Sequence, residues 1–204
     1  MDVVRHVFRF YPTWSNRELD YMVVDEVQDL APLTIKLMLL VTNRNVFFCG
    51  DTAQTIAKGV SFRFFDMKPS FNFRSKVPPK VVQLTKNYRS HQKILDLANS
   101  IVDIVELYFP RTIDTLQRES SDIDGEKPII LEGYSDKDLM GMLMNVSKSD
   151  VPKFGSSQVV IVRNQETKNK LPLFFQNALC LTVYEAKGLE FEDVILYNFF
   201  EDSS

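Results

Sequence analysis

Apolar residues fall in short runs separated by longer stretches of helical period, the pattern of a parallel sheet covered by helices, so an α/β fold is expected. Runs near residues 22–24, 46–49, 81–84, 129–132, 159–162, 180–183 and 194–197 predict strands. Between the first two a helix is expected. Asp29 suits its N-cap and Pro32 is tolerated in its first turn. Ile35, Leu37, Met38, Leu39 and Leu40 would form its buried face. A second helix is expected from Ser90 to about Leu107, capped by Ser90 and ended by Pro110. It places Ile94, Leu97, Ala98, Ile101, Ile104 and Val105 on one stripe. Residues 120–125 read as a polar loop, and Met140 to Met144 as a packed helix face.

The pattern breaks between Pro69 and Pro79, where Lys76, Pro78 and Pro79 cluster, so the division is expected between residues 1–78 and 79–204. The first part holds two clear strands, against about five or six in a typical sheet. The second stops soon after a strand, at Ser204. Both parts read as truncated, which makes the remainder of a larger polypeptide an expected partner.

Composition narrows the functional classes. An apolar content of 45% with 12% aromatic residues is ample for packed cores in 204 residues. A formal charge of -3 excludes a global basic footprint, so any nucleic-acid contact must come from a local patch. Cys49 and Cys180 read as reduced buried thiols, and His6 and His91 are too few for a histidine-based metal cluster. No run of about 18 apolar residues and no signal-peptide pattern occurs. No membrane partner is expected, and the location reads as intracellular, nuclear or cytoplasmic.

Four motifs stand at strand ends. In YMVVDEVQD an apolar run stops at Asp25 and Glu26, as in a buried strand that delivers carboxylates at its C-terminal edge. A solvated strand end or a helix cap has the same form. Gly50-Asp51-Thr52-Ala53-Gln54-Thr55-Ile56 follows the second strand; Gly50 permits a tight turn, and Gln54 can donate to a phosphate oxygen or water. An ordinary loop fits this stretch as well. In Asn87-Tyr88-Arg89-Ser90 the arginine stands at a helix mouth, where its forked donors suit an anion. In Glu185-Ala186-Lys187-Gly188-Leu189-Glu190-Phe191, Gly188 permits close backbone approach, and Glu190 can accept from a ribose hydroxyl.

The wording and order DEVQD, GDTAQTI, NYRS and AKGLEF resemble motifs II, III, IV and V of superfamily 1 helicases of the UvrD/Rep type. Residues 192–200 resemble the helicase-like region of large eukaryotic TPR- and ankyrin-repeat proteins. The resemblance implies two partial RecA-like lobes with ATP between them. It implies that Asp25 coordinates Mg²⁺, Glu26 activates the hydrolytic water and Gln54 senses the γ-phosphate. Arg89 would contact that phosphate from the second lobe, and Gly188 and Glu190 would help hold nucleotide.

The departures are specific. None of the seven glycines precedes a lysine, so the phosphate-binding G-x-x-x-x-G-K-[ST] loop does not occur. The arginine motif that follows motif V in the family does not occur either. Where bacterial members stack single-stranded DNA, this chain has Ala57-Lys58-Gly59 and then Phe62-Arg63-Phe64-Phe65. Phe62, Arg63 and Phe64 form either a substitute stacking platform or core phenylalanines around one snorkelling arginine. Tyr184 stands where bacterial members usually have histidine. A fragment of an ATP-dependent helicase-like ATPase, inactive alone, is the leading expectation. A non-catalytic interaction module keeping the fold is the alternative, and a nuclease using the E-x-K of Glu185 and Lys187 is a third.

Overall fold

The structure, a computed structural model, describes residues 19–39, 42–57, 59–60, 62–72, 79–147 and 157–200. It divides into two compact units, Met1–Pro128 and Ile129–Ser204. The expected change at residues 78–79 falls inside the first unit, although Lys76 and Pro78 lie outside the described residues.

In the first unit, β1 (Leu19–Val24) and β2 (Thr42–Phe48) pair in parallel, joined through helix α1 (Pro32–Met38). Parallel neighbours need such a crossover, and the helix buries one face of the pair. Ile35 and Leu39 sink into a core with Val27, Phe62 and Met67. Phe48 meets Phe71 edge-to-face at 5.6 Å. Phe71 belongs to α2 (Phe64–Asn72), which runs through Pro69, one of the residues expected to mark a boundary. The opposite face of the pair, with Tyr21 and Val23 each 69% exposed, carries apolar side chains in solvent. Leu37 and Met38 are half-buried, and Leu40 lies outside the described residues.

Helix α3 (Gln92–Tyr108) ends just before Pro110, as expected, but turns a different face inward. Leu95 is its buried residue, whereas Ile94, Leu97, Ile101 and Ile104 are exposed. The inward face is polar at seven-residue spacing, and hydrogen bonds explain the choice. Gln92 Oε1 accepts from the Ser121 amide, Asn99 exchanges two bonds with the Glu119 backbone, and Glu106 Oε1 accepts from the Leu116 amide. The returning loop needs these partners for its own backbone groups, so it docks on the side that supplies them.

The runs at 81–84 and 129–132 are not strands. Val81, Val82, Leu84, Ile129 and Ile130 stand exposed with no paired neighbour, and an unpaired extended segment gains no ladder bonds. The bridge Lys86–Ser120 is the nearest approach to pairing there.

The second unit holds a parallel sheet in the order β4-β3-β5, with β3 (Gln158–Val162) central between β4 (Cys180–Thr182) and β5 (Asp193–Leu196). Helices α4 (Asp136–Ser147), α5 (Gln165–Asn169) and α6 (Val183–Ala186) complete it. Val160, Val162 and Phe175 form its core, with Leu139 of α4 and Tyr197 packed against them. Both units are therefore parallel sheets with helices, an α/β architecture. Among the described residues no helix is long and apolar enough to cross a membrane.

Candidate functional site

Because β1 and β2 are parallel, their C-terminal ends share one edge, and the ladder continues past the strands. Cys49 N donates to Val24 O at 2.8 Å, and Val27 N donates to Cys49 O at 3.0 Å. The residues that follow, 25–29 and 50–54, are thus drawn side by side. Asp25 and Glu26 are exposed at this edge. Glu26 holds a left-handed backbone, φ 52°, an uncommon conformation for a residue with a side chain. Asp25 Oδ1 accepts from the Glu26 amide at 2.9 Å.

Gln28 ties the two motifs together and was legible in the sequence only as a letter between two acids. Fully buried, it donates through Nε2 to Glu26 Oε2 at 2.6 Å, and its Oε1 accepts from the Asp51 amide at 3.2 Å. Gly50 makes room for it, since a Cβ there would meet Gln28 Oε1 at 2.3 Å. Asp51 then organises its own turn: Oδ1 accepts from the Ala53 amide at 2.9 Å, and Oδ2 accepts from Gln54 Nε2 at 2.7 Å. Asp29 is not the N-cap of α1, a position taken by Ala31. Its Oδ1 accepts from the Ile56 and Ala57 amides at 3.2 and 3.4 Å, because a closed turn precedes the helix and leaves the carboxylate facing the second motif.

Arg89 stands elsewhere in the first unit. Asn87 Oδ1 accepts from the Arg89 and Ser90 amides, both at 2.9 Å, so an Asn-centred turn presents the arginine at the surface. Ser90 does not cap α3; His91 is the flanking residue and makes no side-chain cap bond. Gly125 approaches the His91 ring so closely that a Cβ there would lie 2.4 Å from it.

Gly188 and Glu190 belong to the second unit, both exposed, and Gly188 takes φ 78°. The turn before them is closed by a capping box: Thr182 accepts from the Glu185 amide, and Glu185 accepts from the Thr182 amide. Lys168 Nζ also binds Glu185, at 2.8 Å. The Lys168 ammonium, with the Thr182 amide, pulls the Glu185 carboxyl down to about 2. This carboxylate, the acid of the nuclease expectation, is engaged by the cap and by the lysine. Cys180 is half-buried and burial raises its thiol, while Cys49 is exposed rather than buried; both are free.

Of the two readings of Phe62, Arg63 and Phe64, the structure bears out the packed one, with the phenylalanines in the core. Phe62 is 4% exposed and Phe64 packs on the same core, while Arg63 makes a two-pronged ion pair with Asp66. Phe65 instead faces solvent at 64% exposure, with Lys68 Nζ 5.1 Å and Arg63 Cζ 5.9 Å from its ring centre. The helix start turns every third or fourth residue inward, and Phe65 falls between those positions.

The structure therefore gathers Asp25, Glu26 and Gln54 at one sheet edge, and holds Arg89 in a separate turn of that unit. Gly188 and Glu190 lie in the other unit. No protein-family model matches the chain. It is 44% identical over 203 residues to the human TPR and ankyrin repeat-containing protein 1, an alignment that takes 93% of this chain and 7% of the relative. A probable DNA helicase of Mycoplasma pneumoniae is 27% identical over 89% of this chain and 36% of its own length. The ATP-dependent DNA helicase PcrA of Leuconostoc citreum is 36% identical over 43% of this chain and 12% of its own. The chain thus spans well under half the length of these relatives. On these likenesses the chain resembles a helicase-like region of the UvrD/PcrA/Rep type.

Proposed function

We propose that this region supplies half of a magnesium-nucleotide site in a superfamily 1 helicase-like ATPase, on parts of two RecA-like lobes. The observation that supports it most is the shared edge at which Asp25, Glu26 and the Asp51-held Gln54 converge. Hard carboxylate oxygens suit Mg²⁺, which commonly takes one or two protein carboxylates and fills its other positions with water and phosphate oxygens. Among the described residues no three metal-ligating side chains cluster, so the acidic pair fits such a shared site rather than an all-protein cage. In this reading Asp25 holds the cation, Glu26 orients the attacking water and Gln54 senses the γ-phosphate. Arg89 offsets charge on that phosphate, and Gly188 and Glu190 touch nucleotide. Bound magnesium nucleotide supplies the phosphate oxygens that complete the cation's shell.

With no phosphate-binding loop among its 204 residues, the region alone neither binds ATP tightly nor hydrolyses it, and works inside a larger intracellular polypeptide. Single-stranded nucleic acid is the proposed polymer partner, met by Phe65 between its two cations. A non-catalytic interaction module is the competing reading, favoured by the missing loop and the exposed apolar stripe of α3.

Manganese, a paramagnetic stand-in for Mg²⁺, separates the two. Added with ATP to the isotope-labelled chain, it is expected to broaden the amide signals of residues 25–26 and 51–54 first, and to do so weakly in Asp25→Asn. Broadening that bypasses this edge removes the metal site and leaves the module.

A further inference from the structure

The loop between α3 and residue 121 carries a carboxylate that nothing in its own sequence neighbourhood marks. Asp114 Oδ2 accepts from the Phe64 amide at 2.7 Å, and Oδ1 accepts from the Phe65 amide at 3.1 Å, fifty and forty-nine positions away. These are the first two amides of α2, whose orphan donors and positive dipole end favour an anion. Asp114 makes a third bond on its backbone side. Its own amide donates to Thr52 Oγ1 at 3.0 Å, and Thr52 is buried in the turn that carries Gln54. One residue therefore bonds two elements, the Thr52–Gln54 turn and the head of α2.

The loop that presents Asp114 is itself pinned to α3 by the polar ladder at Glu106 and Asn99. Leu116, two residues on, takes the Glu106 bond, and Gln83 Nε2 donates to Thr115 O at 2.9 Å. The α3 element begins at Gln92, after the Asn87-centred turn that carries Arg89. Three pieces of the first unit thus meet at this aspartate: the Thr52–Gln54 turn, the head of α2 with exposed Phe65, and the arm that follows Arg89.

We propose that Asp114 is a positioning residue that locks the Gln54 turn to the head of α2, so that the two move as one body. Its role for function rests on the nucleotide reading above, in which a change at Gln54 is passed to the aromatic-cationic surface at Phe65. A plain helix cap would account for the two carboxylate bonds but not for the Thr52 bond, and the two ideas diverge in what they protect. Charge-assisted bonds to a helix head are short and strong. Their loss alone should loosen α2 and leave the distant turn unchanged.

Amide hydrogen exchange of the full 204-residue chain reads this residue by residue. Asp114→Ala keeps the amide that binds Thr52 and removes the two carboxylate bonds. It is therefore expected to speed exchange about fivefold or more at Phe64 and Phe65, the ratio set by one ordinary hydrogen bond, and also at Ala53 and Gln54, because their turn then loses its tie to α2. Val27, bonded to Cys49 on the strand edge, should exchange as in the parent chain. Thr52→Val, which keeps volume but removes the acceptor, should speed Ala53, Gln54 and Asp114 while leaving Phe64 and Phe65 unchanged. Thr52→Ser should restore the parent rates. If Asp114→Ala loosens only Phe64 and Phe65, or Thr52→Val leaves Ala53 and Gln54 unmoved, Asp114 is a cap and the proposal is wrong. If Asp114→Ala also releases Val27, the unit has unfolded, and the Thr52→Val and Thr52→Ser pair decides alone. These readouts need no nucleotide. Failure of manganese to find Asp25 in the parent chain would sink the nucleotide reading and leave the exchange result standing.

Discussion

A left-handed glutamate beside a buried glutamine is a costly local choice. For a residue with a Cβ that conformation costs roughly 1–2 kcal/mol, and it persists where surrounding bonds over-determine it. At Glu26 those bonds are the Gln28 amide on its carboxylate and the Val27–Cys49 contact just beyond it. Gly50 is the residue on which the arrangement depends. Gly50→Ala is expected to destabilise the first unit by about 1–3 kcal/mol, since the added methyl must displace a buried, hydrogen-bonded side chain. Denaturant titration followed by fluorescence or circular dichroism measures this. A change under about 0.5 kcal/mol would show that Gln28 relaxes freely. Phe65 makes a separate prediction at the same scale. Phe65→Ala should weaken binding to an oligothymidine by about 1–3 kcal/mol in fluorescence anisotropy, without lowering the melting temperature. Phe62→Ala should do the reverse, because Phe62 sits in the core.

At the scale of elements, α3 shows why amphipathic spacing can mislead. Ile94, Leu97, Ile101 and Ile104 make a stripe at helical period, yet Gln92, Asn99 and Glu106 on another face own the hydrogen bonds. Periodicity counts apolar residues and has no term for the backbone of a loop ten or more residues downstream. Leu95→Ala is accordingly expected to cost about 2–5 kcal/mol. Ile101→Glu should change stability by less than about 0.5 kcal/mol in this chain, as exposed substitutions do. The opposite order in equilibrium unfolding would put the stripe inside. The capping box of α6 makes a pH prediction. Glu185 titrates near 2 when folded against an ordinary value of 4.5, so the unfolded chain takes up the proton first as pH falls. Its contribution is full above about 4.5 and is lost progressively toward 2. Glu185→Gln should flatten that acid limb of the second unit's unfolding curve and leave the neutral region displaced but parallel. Thr182→Ala should cost about 0.5–2 kcal/mol at neutral pH, the ordinary loss of an N-cap oxygen.

Over the whole molecule, the residues proposed to meet nucleotide fall in both units. The acidic pair, Gln54 and Arg89 belong to the first, and Gly188 and Glu190 to the second. No lysine follows a glycine anywhere in the chain. The purified 204-residue chain is therefore expected to show no Mg²⁺-dependent ATP turnover above background in a phosphate-release assay. Turnover that disappears in Glu26→Gln would make the chain self-sufficient and overturn the half-site reading. Partial coverage of the relatives, 7% of one and 36% of another, agrees with a region that acts within something longer.

The linear sequence was enough for the alternation of strand and helix, five of seven strands and the end of α3. It was also enough for the helicase-like character of the four motifs, because apolar runs and motif wording are local properties. Tertiary structure decided the rest. Whether a run becomes a strand depends on a neighbour to pair with, and 81–84 and 129–132 have none. Which face of α3 is buried depends on where a loop ten or more residues away finds its donors and acceptors. Gln28 and Asp114 tie segments together through partners 23 to 62 positions distant, bonds for which sequence spacing holds no signal.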